Sequence, residues 1–273
     1  MIKIIIKLAT AVFLLISTFV NAQNFQGKAY YQTKRNINMS MDSTQVNNEM
    51  QKQLQEMLRK QFEKTYILTF NKTESIYKVE EELEKPQPTS SGIRIINGGA
   101  KDILYKNTRT NTFVNNVEQF GKKFLVKDNL KKIKWNITKE TKMIGNYLCI
   151  KATTIKMVND YDEEHNKKET KKEMPIEAWY TPEIPVNAGP AYYGNLPGLI
   201  IELHEDKMHY VCNKIVMNPL DKIEITVPSK GKVVNQKDFD AMVEKKRKEV
   251  MKNFQGGRKK GGNSNSFSIQ IGG

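Results

Sequence analysis

The chain has 273 residues, of which 44 are Lys or Arg and 30 are Asp or Glu, so its formal net charge is +14. A hydrophobic fraction of 38% is too high for a disordered chain, and two Cys are too few for a disulfide-stapled mini-protein or a four-Cys zinc site. The mean hydropathy of −0.60 excludes a polytopic membrane protein.

The first 22 residues have the pattern of a secretory signal peptide. Lys3 and Lys7 give a positive start, residues 8–20 are apolar, and Val20 and Ala22 occupy positions −3 and −1 of a cleavage site. We therefore expect cleavage after Ala22 and export to the periplasm or the cell surface. An uncleaved membrane anchor is the alternative, but the apolar run is shorter than the ~20 residues that a spanning helix needs.

A first strand is predicted over residues 25–35, and a helix follows it near residues 44–64. The apolar positions of this helix recur at spacings of three and four, with Gln, Lys and Glu on its other faces. They are Val46, Met50, Leu54, Met57, Leu58 and Phe62. We expect the helix to cover a sheet, because its mixed polar face disfavours a coiled coil or a membrane-surface role.

From Tyr66 onward the hydrophobic period changes to two, which predicts a hairpin broken at Asn71, a loop over 84–101 and then a series of short strands. The predicted strands are 102–105, 112–114, 123–126, 133–138, 147–158, 176–180, 199–204 and 209–216. Short strands joined by tight turns predict an antiparallel sheet. The sequence contains neither G-x-G-x-x-G nor G-x-x-x-x-G-K-S/T, the glycine motifs that bind nucleotide phosphates. We therefore expect one mainly β, α+β domain over residues 23–228.

Residues 176–200 form a Pro- and Gly-rich crossover between two predicted strands. Prolines cannot donate ladder hydrogen bonds and glycines permit sharp bends, so the crossover should be rigid. Two interpretations stay open. In the first, the crossover lines a groove for a ligand or partner, whereas in the second it builds a chain reversal whose aromatic side chains plug one end of the sheet. The groove residues would be Trp179, Tyr180, Tyr192, Tyr193, Leu196, Pro197 and Gly198.

This crossover resembles the signature of the GLPGLI family of exported proteins from Gram-negative bacteria. The namesake motif stands here as Asn-Leu-Pro-Gly-Leu-Ile over residues 195–200, with Asn195 in place of the family's first Gly. The resemblance covers roughly residues 130–220. It implies an envelope location but carries no established activity. The order of strands is also similar to that of outer-membrane lipoprotein carriers, which implies a curved, half-barrel-like sheet and admits an apolar ligand.

Two further groups of residues could carry chemistry. His204 and His209 flank a predicted hairpin turn, and Glu202 lies on the same face, so these three side chains could share a metal. The alternative is an exposed polar hairpin end, because their spacing matches no established metal motif. Cys149 and Cys212 lie in predicted strands, and export allows a disulfide between them, although two buried thiols are the alternative.

The C-terminal region holds much of the basic excess. Residues 229–254 predict a basic amphipathic helix, with a loose apolar stripe over 237–254 that could rest on an anionic membrane or remain a solvated terminal helix. Residues 255–273 predict a Gly-rich flexible tail that ends in a short strand, 267–271. Export and the lack of aromatic-interleaved basic motifs argue against nucleic acid.

These observations predict an exported, non-enzymatic binding or interaction module of the cell envelope. We expect no cofactor. The expected partner is an outer-membrane or other envelope protein, or an apolar ligand. The alternative function is a metal-binding envelope protein or hydrolase that uses the hairpin histidines, His204 and His209.

Overall fold

A computed structural model of the chain describes residues 25–35, 63–80, 102–160, 170–221 and 223–258. These residues form twelve strands and one helix. The strands are β1 (Gln26–Arg35), β2 (Thr65–Asn71), β3 (Glu74–Val79), β4 (Ile103–Asn107), β5 (Thr112–Gln119), β6 (Lys122–Asn129), β7 (Asn136–Ile144), β8 (Tyr147–Asp160), β9 (Thr170–Thr181), β10 (Leu199–Glu205), β11 (Met208–Met217) and β12 (Lys232–Val234). The helix is α1 (Gln236–Arg258).

All twelve strands belong to one open sheet, in the order β12-β6-β5-β4-β3-β2-β1-β11-β10-β9-β8-β7. The strands β1 to β6 and β7 to β11 are two meanders that meet where β1 pairs with β11. The mainly β, α+β prediction is confirmed. The expectation of an entirely antiparallel sheet is wrong at one edge, where β12 runs parallel to β6. The chain reaches that edge through a long connection from β11, so no hairpin turn imposes an antiparallel direction there.

Alternation in the sequence gives the sheet two distinct faces. In β1, Ala29, Tyr31 and Thr33 are buried while Lys34 is exposed, which follows the period of two that a pleated strand requires. We call the face that carries Ala29 and Tyr31 the inner face. It builds the largest core cluster, which draws side chains from strands throughout both meanders.

A bulge near the start of β10 determines which of its side chains lie on the inner face. The register against β9 shifts between Ile200 and Glu202. Ile201 packs in the inner-face cluster, whereas Ile200 and Leu203 belong to a second cluster. The bulge therefore pairs Glu202 with Trp179, which is an inner-face residue.

The connection between β9 and β10 fills the inner face. Ile184, Val186 and Ala188 of this connection are all nearly inaccessible and pack in the inner-face cluster. Side chains of β4 and β5 hydrogen-bond to the same connection, although several strands separate them from β9 and β10 in the sheet. The sheet therefore bends around the crossover, as a half-barrel does around its contents.

Several predicted segments lie outside the described residues, namely the leader 1–22, most of the covering helix and the 84–101 loop. Of the helix near 44–64, only residues 63 and 64 are described, and they have no helical structure. The predicted C-terminal helix is present, but it begins at Gln236 and not at residue 229, since residues 232–234 form β12. It ends at Arg258, so four residues assigned to the tail are helical. The predicted strand at 267–271 is outside the described part.

Candidate functional site on the inner face

In the structure, the crossover is the connection between β9 and β10, residues 182–198, and its backbone is hydrogen-bonded to β10. The amide of Leu199 donates to the carbonyl of Ile184 at 3.0 Å, and that of Ile200 donates to the carbonyl of Ala188 at 3.1 Å. Gly198 lies so close to β9 that an added Cβ would stand 2.1 Å from the carbonyl oxygen of Thr181. Only glycine fits at this position, which explains the Pro-Gly bend before β10.

Most of the residues predicted to line a groove are buried. Trp179, Tyr180, Tyr193 and Leu196 expose at most 7% of their surface, and Gly198 is also buried. Tyr192 and Pro197 are exposed. The sheet takes up the apolar surface of the buried aromatic rings as core, and the groove interpretation stays a prediction. The structure favours the alternative, a chain reversal that plugs the sheet.

A buried lysine that the sequence did not single out holds the crossover. Nζ of Lys106, on β4, donates to the carbonyl oxygens of Gly189, Ala191 and Tyr193 at 3.2, 2.7 and 2.9 Å. Lys106 is 4% exposed, and this burial lowers its pKa to about 7. In place of a carboxylate, three backbone carbonyls satisfy this amine. We call Lys106 and these carbonyls the lysine clamp.

Beside the clamp, the inner face carries three buried oxygen atoms without a hydrogen-bond partner, Oη of Tyr77, Oδ1 of Asp102 and Oδ1 of Asn115. Tyr77 and Asn115 lie opposite each other across Leu104, the residue of β4 with which both pair. Asp102 immediately precedes β4. Buried polar groups in native proteins almost always have a partner, so three orphans on one face mark an unusual place.

Tyrosines connect these orphan atoms. The Tyr66 ring stacks on Tyr77 with centroids 4.9 Å apart, and the amide nitrogen of Asn115 donates to Oη of Tyr192 at 2.7 Å. Asp102 interacts electrostatically with both Tyr66 and Tyr192. We call these five residues the tyrosine strip. Because Tyr192 is 44% exposed, the strip runs from the core to the surface.

The electrostatics of the strip follow from burial. Burial raises the pKa of Asp102 to about 6, against the opposing effects of the Glu118 backbone amide and of Lys64. Burial likewise raises the pKa of Tyr66 and Tyr77. The tyrosines are therefore neutral phenols, and Asp102 changes its charge near pH 6.

The predicted metal residues meet in space, and both carboxylate oxygens of Glu202 are already engaged by protein groups. Glu202 Oε1 lies 2.6 Å from Nε2 of His204, and Glu202 Oε2 accepts from Nζ of Lys142 at 2.8 Å. The ring of His209 lies 4.3 Å from that of His204. Among the described residues, no three His, Cys, Asp or Glu side chains are grouped so that they could hold a metal ion. These residues form a polar, ion-paired hairpin end, and a metal site among them stays a prediction.

Lysines and carboxylates continue this hairpin end as one network. Nζ of Lys142 lies 4.3 Å from the centre of the Trp179 ring. Lys151 forms ion pairs with Glu140 and Glu177 at 3.1 and 3.0 Å. We call Glu202, His204 and these charged residues the hairpin network. Its charges alternate and its members are partly solvated, so each interaction is worth little.

Cys149 and Cys212 are two buried free thiols of the inner-face cluster. Burial raises the pKa of Cys149 to about 11 and that of Cys212 to about 12. Thiols with such values are protonated at neutral pH and are poor nucleophiles. The predicted disulfide between them is not formed in this structure.

Helix α1 is anchored at its N-terminus. Oδ1 of Asn235 caps the amide of Asp238 at 2.8 Å, and the Phe239 ring packs edge-on against Phe124 of β6 at 5.6 Å. Within the basic run, Arg247 pairs with Glu244 at 3.0 Å. The helix therefore docks on the sheet at its start, and its contact with an anionic membrane stays a prediction. Within the described residues, no helix combines the length and apolarity needed to span a bilayer.

Comparisons with known proteins find a family model of unassigned activity that is similar to the part of the chain containing the crossover. A family model described as "Protein of unknown function (Porph_ging)" matches residues 135–202, a minority of the chain that includes β7 to β9 and the crossover. A search of curated proteins finds no match.

Two solved structures of a protein named PNGF-II are similar to this chain. The structure in space group P21 is 13% identical and has a TM-score of 0.50, and the one in space group C2 is 14% identical with a TM-score of 0.47. Each match covers 81% of this chain and 33% of the other, so the chain spans about a third of the structures it matches. At this identity, the first match shows a shared fold alone.

Proposed function

We propose that this chain is an exported, non-enzymatic binding module of the cell envelope and that a ligand binds at the tyrosine strip. The observation that carries the proposal is the set of orphan oxygens on Tyr77, Asp102 and Asn115. Leaving a buried polar atom without a partner costs about 1–3 kcal/mol, and a ligand that supplies the missing hydrogen bonds removes that cost. The strip also includes Tyr192, which is 44% exposed at the surface.

The remaining reactive groups favour binding over catalysis. Both thiols are buried with raised pKa values, and Glu202 is engaged by His204 and Lys142. A catalytic base needs a free lone pair that can reach substrate, and a nucleophile needs its reactive form at working pH.

Export and family membership belong to the same proposal. The leader pattern and the motif over 195–200 support an envelope protein of the GLPGLI type, acting with an outer-membrane or other envelope partner. The family model that matches 135–202 overlaps the region of this resemblance. N-terminal sequencing of protein recovered from a bacterial periplasm tests the leader. The expected first residue is Gln23, and a retained Met1 would contradict export by cleavage.

Native mass spectrometry of the purified, exported chain tests ligand binding. We expect a small molecule to be retained by the wild-type chain and lost in Asn115→Leu, which removes one orphan oxygen and the contact to Tyr192. Asn116→Leu is the matched control, because its side chain bonds to the backbone of Lys230 and does not join the strip. A chain that retains no ligand and takes up none from a cell extract would contradict the proposal.

A further inference from the structure

The unpaired donor and acceptor atoms of the tyrosine strip define which hydrogen-bonding groups a ligand needs. The orphan atoms on Asp102 and Asn115 are a carboxyl and an amide oxygen, and the third, on Tyr77, is a phenol oxygen that can also accept. The amide nitrogen of Asn115 is already committed to Tyr192. A ligand that satisfies Asp102 and Asn115 must therefore donate hydrogen bonds, whereas a carboxylate or phosphate could pair only with the O–H of Tyr77 and would add acceptors opposite the other two oxygens.

The negative charge of Asp102 narrows the class of ligand further. Asp102 is ionised above about pH 6, and its Oδ1 accepts from no protein donor. Lys64 is the lysine that acts on Asp102, and the amine of Lys106, four residues along, is committed to three crossover carbonyls. A buried carboxylate whose free oxygen lacks a donor is best matched by a cationic donor, because charge-assisted hydrogen bonds are roughly twice as strong as neutral ones.

The rings of the strip suit a cation with an apolar stem. Tyr66 and Tyr77 stack with an angle of 3° between their planes, and Tyr192 packs edge-on against Phe113. Phenol faces attract a nearby cation, and the same faces bury methylene groups. A primary ammonium has hydrogen-bond donors for the oxygens of Asp102 and Asn115, and its stem can lie along the rings toward the exposed Tyr192.

We infer that the tyrosine strip binds ligands through a protonated primary amine on an apolar stem, with Asp102 and Asn115 as its acceptors. This inference rests on the proposed function, since it names the class of ligand for that same site. Asp102 supplies the charge, Asn115 supplies orientation, and the tyrosine rings hold the stem.

Isothermal titration calorimetry with three matched probes tests the inference. The probes are n-hexylammonium, 1-hexanol and hexanoate at pH 7.5, each titrated into the whole mature chain. We expect n-hexylammonium to bind at least tenfold more tightly than 1-hexanol, and hexanoate to bind more weakly than both. Asp102→Asn should lower hexylammonium affinity at least tenfold and leave hexanol affinity unchanged. Asp221→Asn, which removes an exposed carboxylate, is the charge-matched control and should change neither value.

The outcomes separate the ligand class from the site. Equal binding of hexanol and hexylammonium, lost in both Asn115→Leu and Tyr77→Phe, would overturn the amine inference and keep the strip as a binding site. Hexylammonium binding that survives Asp102→Asn would place the amine elsewhere and overturn the inference. If no probe binds and native mass spectrometry finds no retained molecule, both the inference and the proposed function fail. Circular dichroism and thermal unfolding of each variant show whether a lost affinity reflects a lost fold.

Discussion

The lysine clamp and the hairpin network use charge in opposite ways. In the clamp, a single amine is removed from water and satisfied by three neutral carbonyls of the crossover. In the hairpin network, several lysines and carboxylates pair with each other at a partly solvated hairpin end, where Lys142 keeps 37% of its side chain exposed. Loss of the clamp's buried hydrogen bonds costs much free energy, because no water can replace them. Loss of an ion pair in the hairpin network costs less, because water can hydrogen-bond to the remaining group. The two regions therefore predict very different costs for removing one charged group.

The largest effect is expected for Lys106→Met, which keeps the length of the side chain and removes its donors. Three buried carbonyls would then lack partners, and we expect a loss of about 3 kcal/mol in the free energy of unfolding. Chemical denaturation at pH 7 measures this loss. Lys78→Met, on the exposed side of β3, is the control and should change stability by less than about 0.5 kcal/mol. A stability of Lys106→Met equal to that of wild type would contradict the clamp.

The pH dependence of stability sharpens the same comparison. Burial puts the folded-state pKa of Lys106 at about 7, below the ordinary lysine value of 10.5. Between these values the unfolded chain binds more protons than the folded chain, so this lysine makes stability rise with pH. The free energy of unfolding of wild type relative to Lys106→Met should therefore increase from pH 7 to pH 9. An unchanged difference across this range would show that the buried amine keeps its ordinary pKa.

A smaller but still large effect is expected for Gly198→Ala at the start of β10. The new Cβ would lie 2.1 Å from the carbonyl oxygen of Thr181, so the backbone of β9 or of the bend must move. We expect a cost of about 2 kcal/mol, which thermal or chemical unfolding measures. Gly194→Ala is the matched control within the crossover, because the nearest neighbour of its new Cβ, the side-chain oxygen of Asn187, would lie 3.1 Å away, a much longer contact than the 2.1 Å at Gly198. Equal costs for the two variants would contradict a special role for Gly198.

The sequence predicted the elements better than the partners of their side chains. Alternation placed β1 and β8 within a few residues of their observed bounds, and the Pro-Gly bend correctly marked the crossover. It did not find Lys106, because a lysine at the end of a short strand is ordinarily exposed, and only the crossover folding back from distant strands buries it. It also left open whether Trp179 and Tyr193 line a groove or plug the sheet, because a strand pattern does not tell which surface will cover an aromatic ring.

The smallest effect is expected for Glu202→Gln in the hairpin network. The substitution removes the negative charge between Lys142 and His204, which lie 2.8 and 2.6 Å from its two oxygens, but it keeps the side chain's shape and one acceptor. Because Lys142 and His204 are both about one-third exposed, water replaces part of the lost interaction, and we expect a cost of less than about 1 kcal/mol. Chemical denaturation at low and at high salt measures it, and the difference between variant and wild type should shrink as salt screens the ion pairs. Glu173→Gln, at an exposed position of β9, is the control for a charge change alone. A cost for Glu202→Gln as large as that of Lys106→Met would mean that the hairpin network is as tightly buried as the clamp, and the contrast between the two regions would no longer hold.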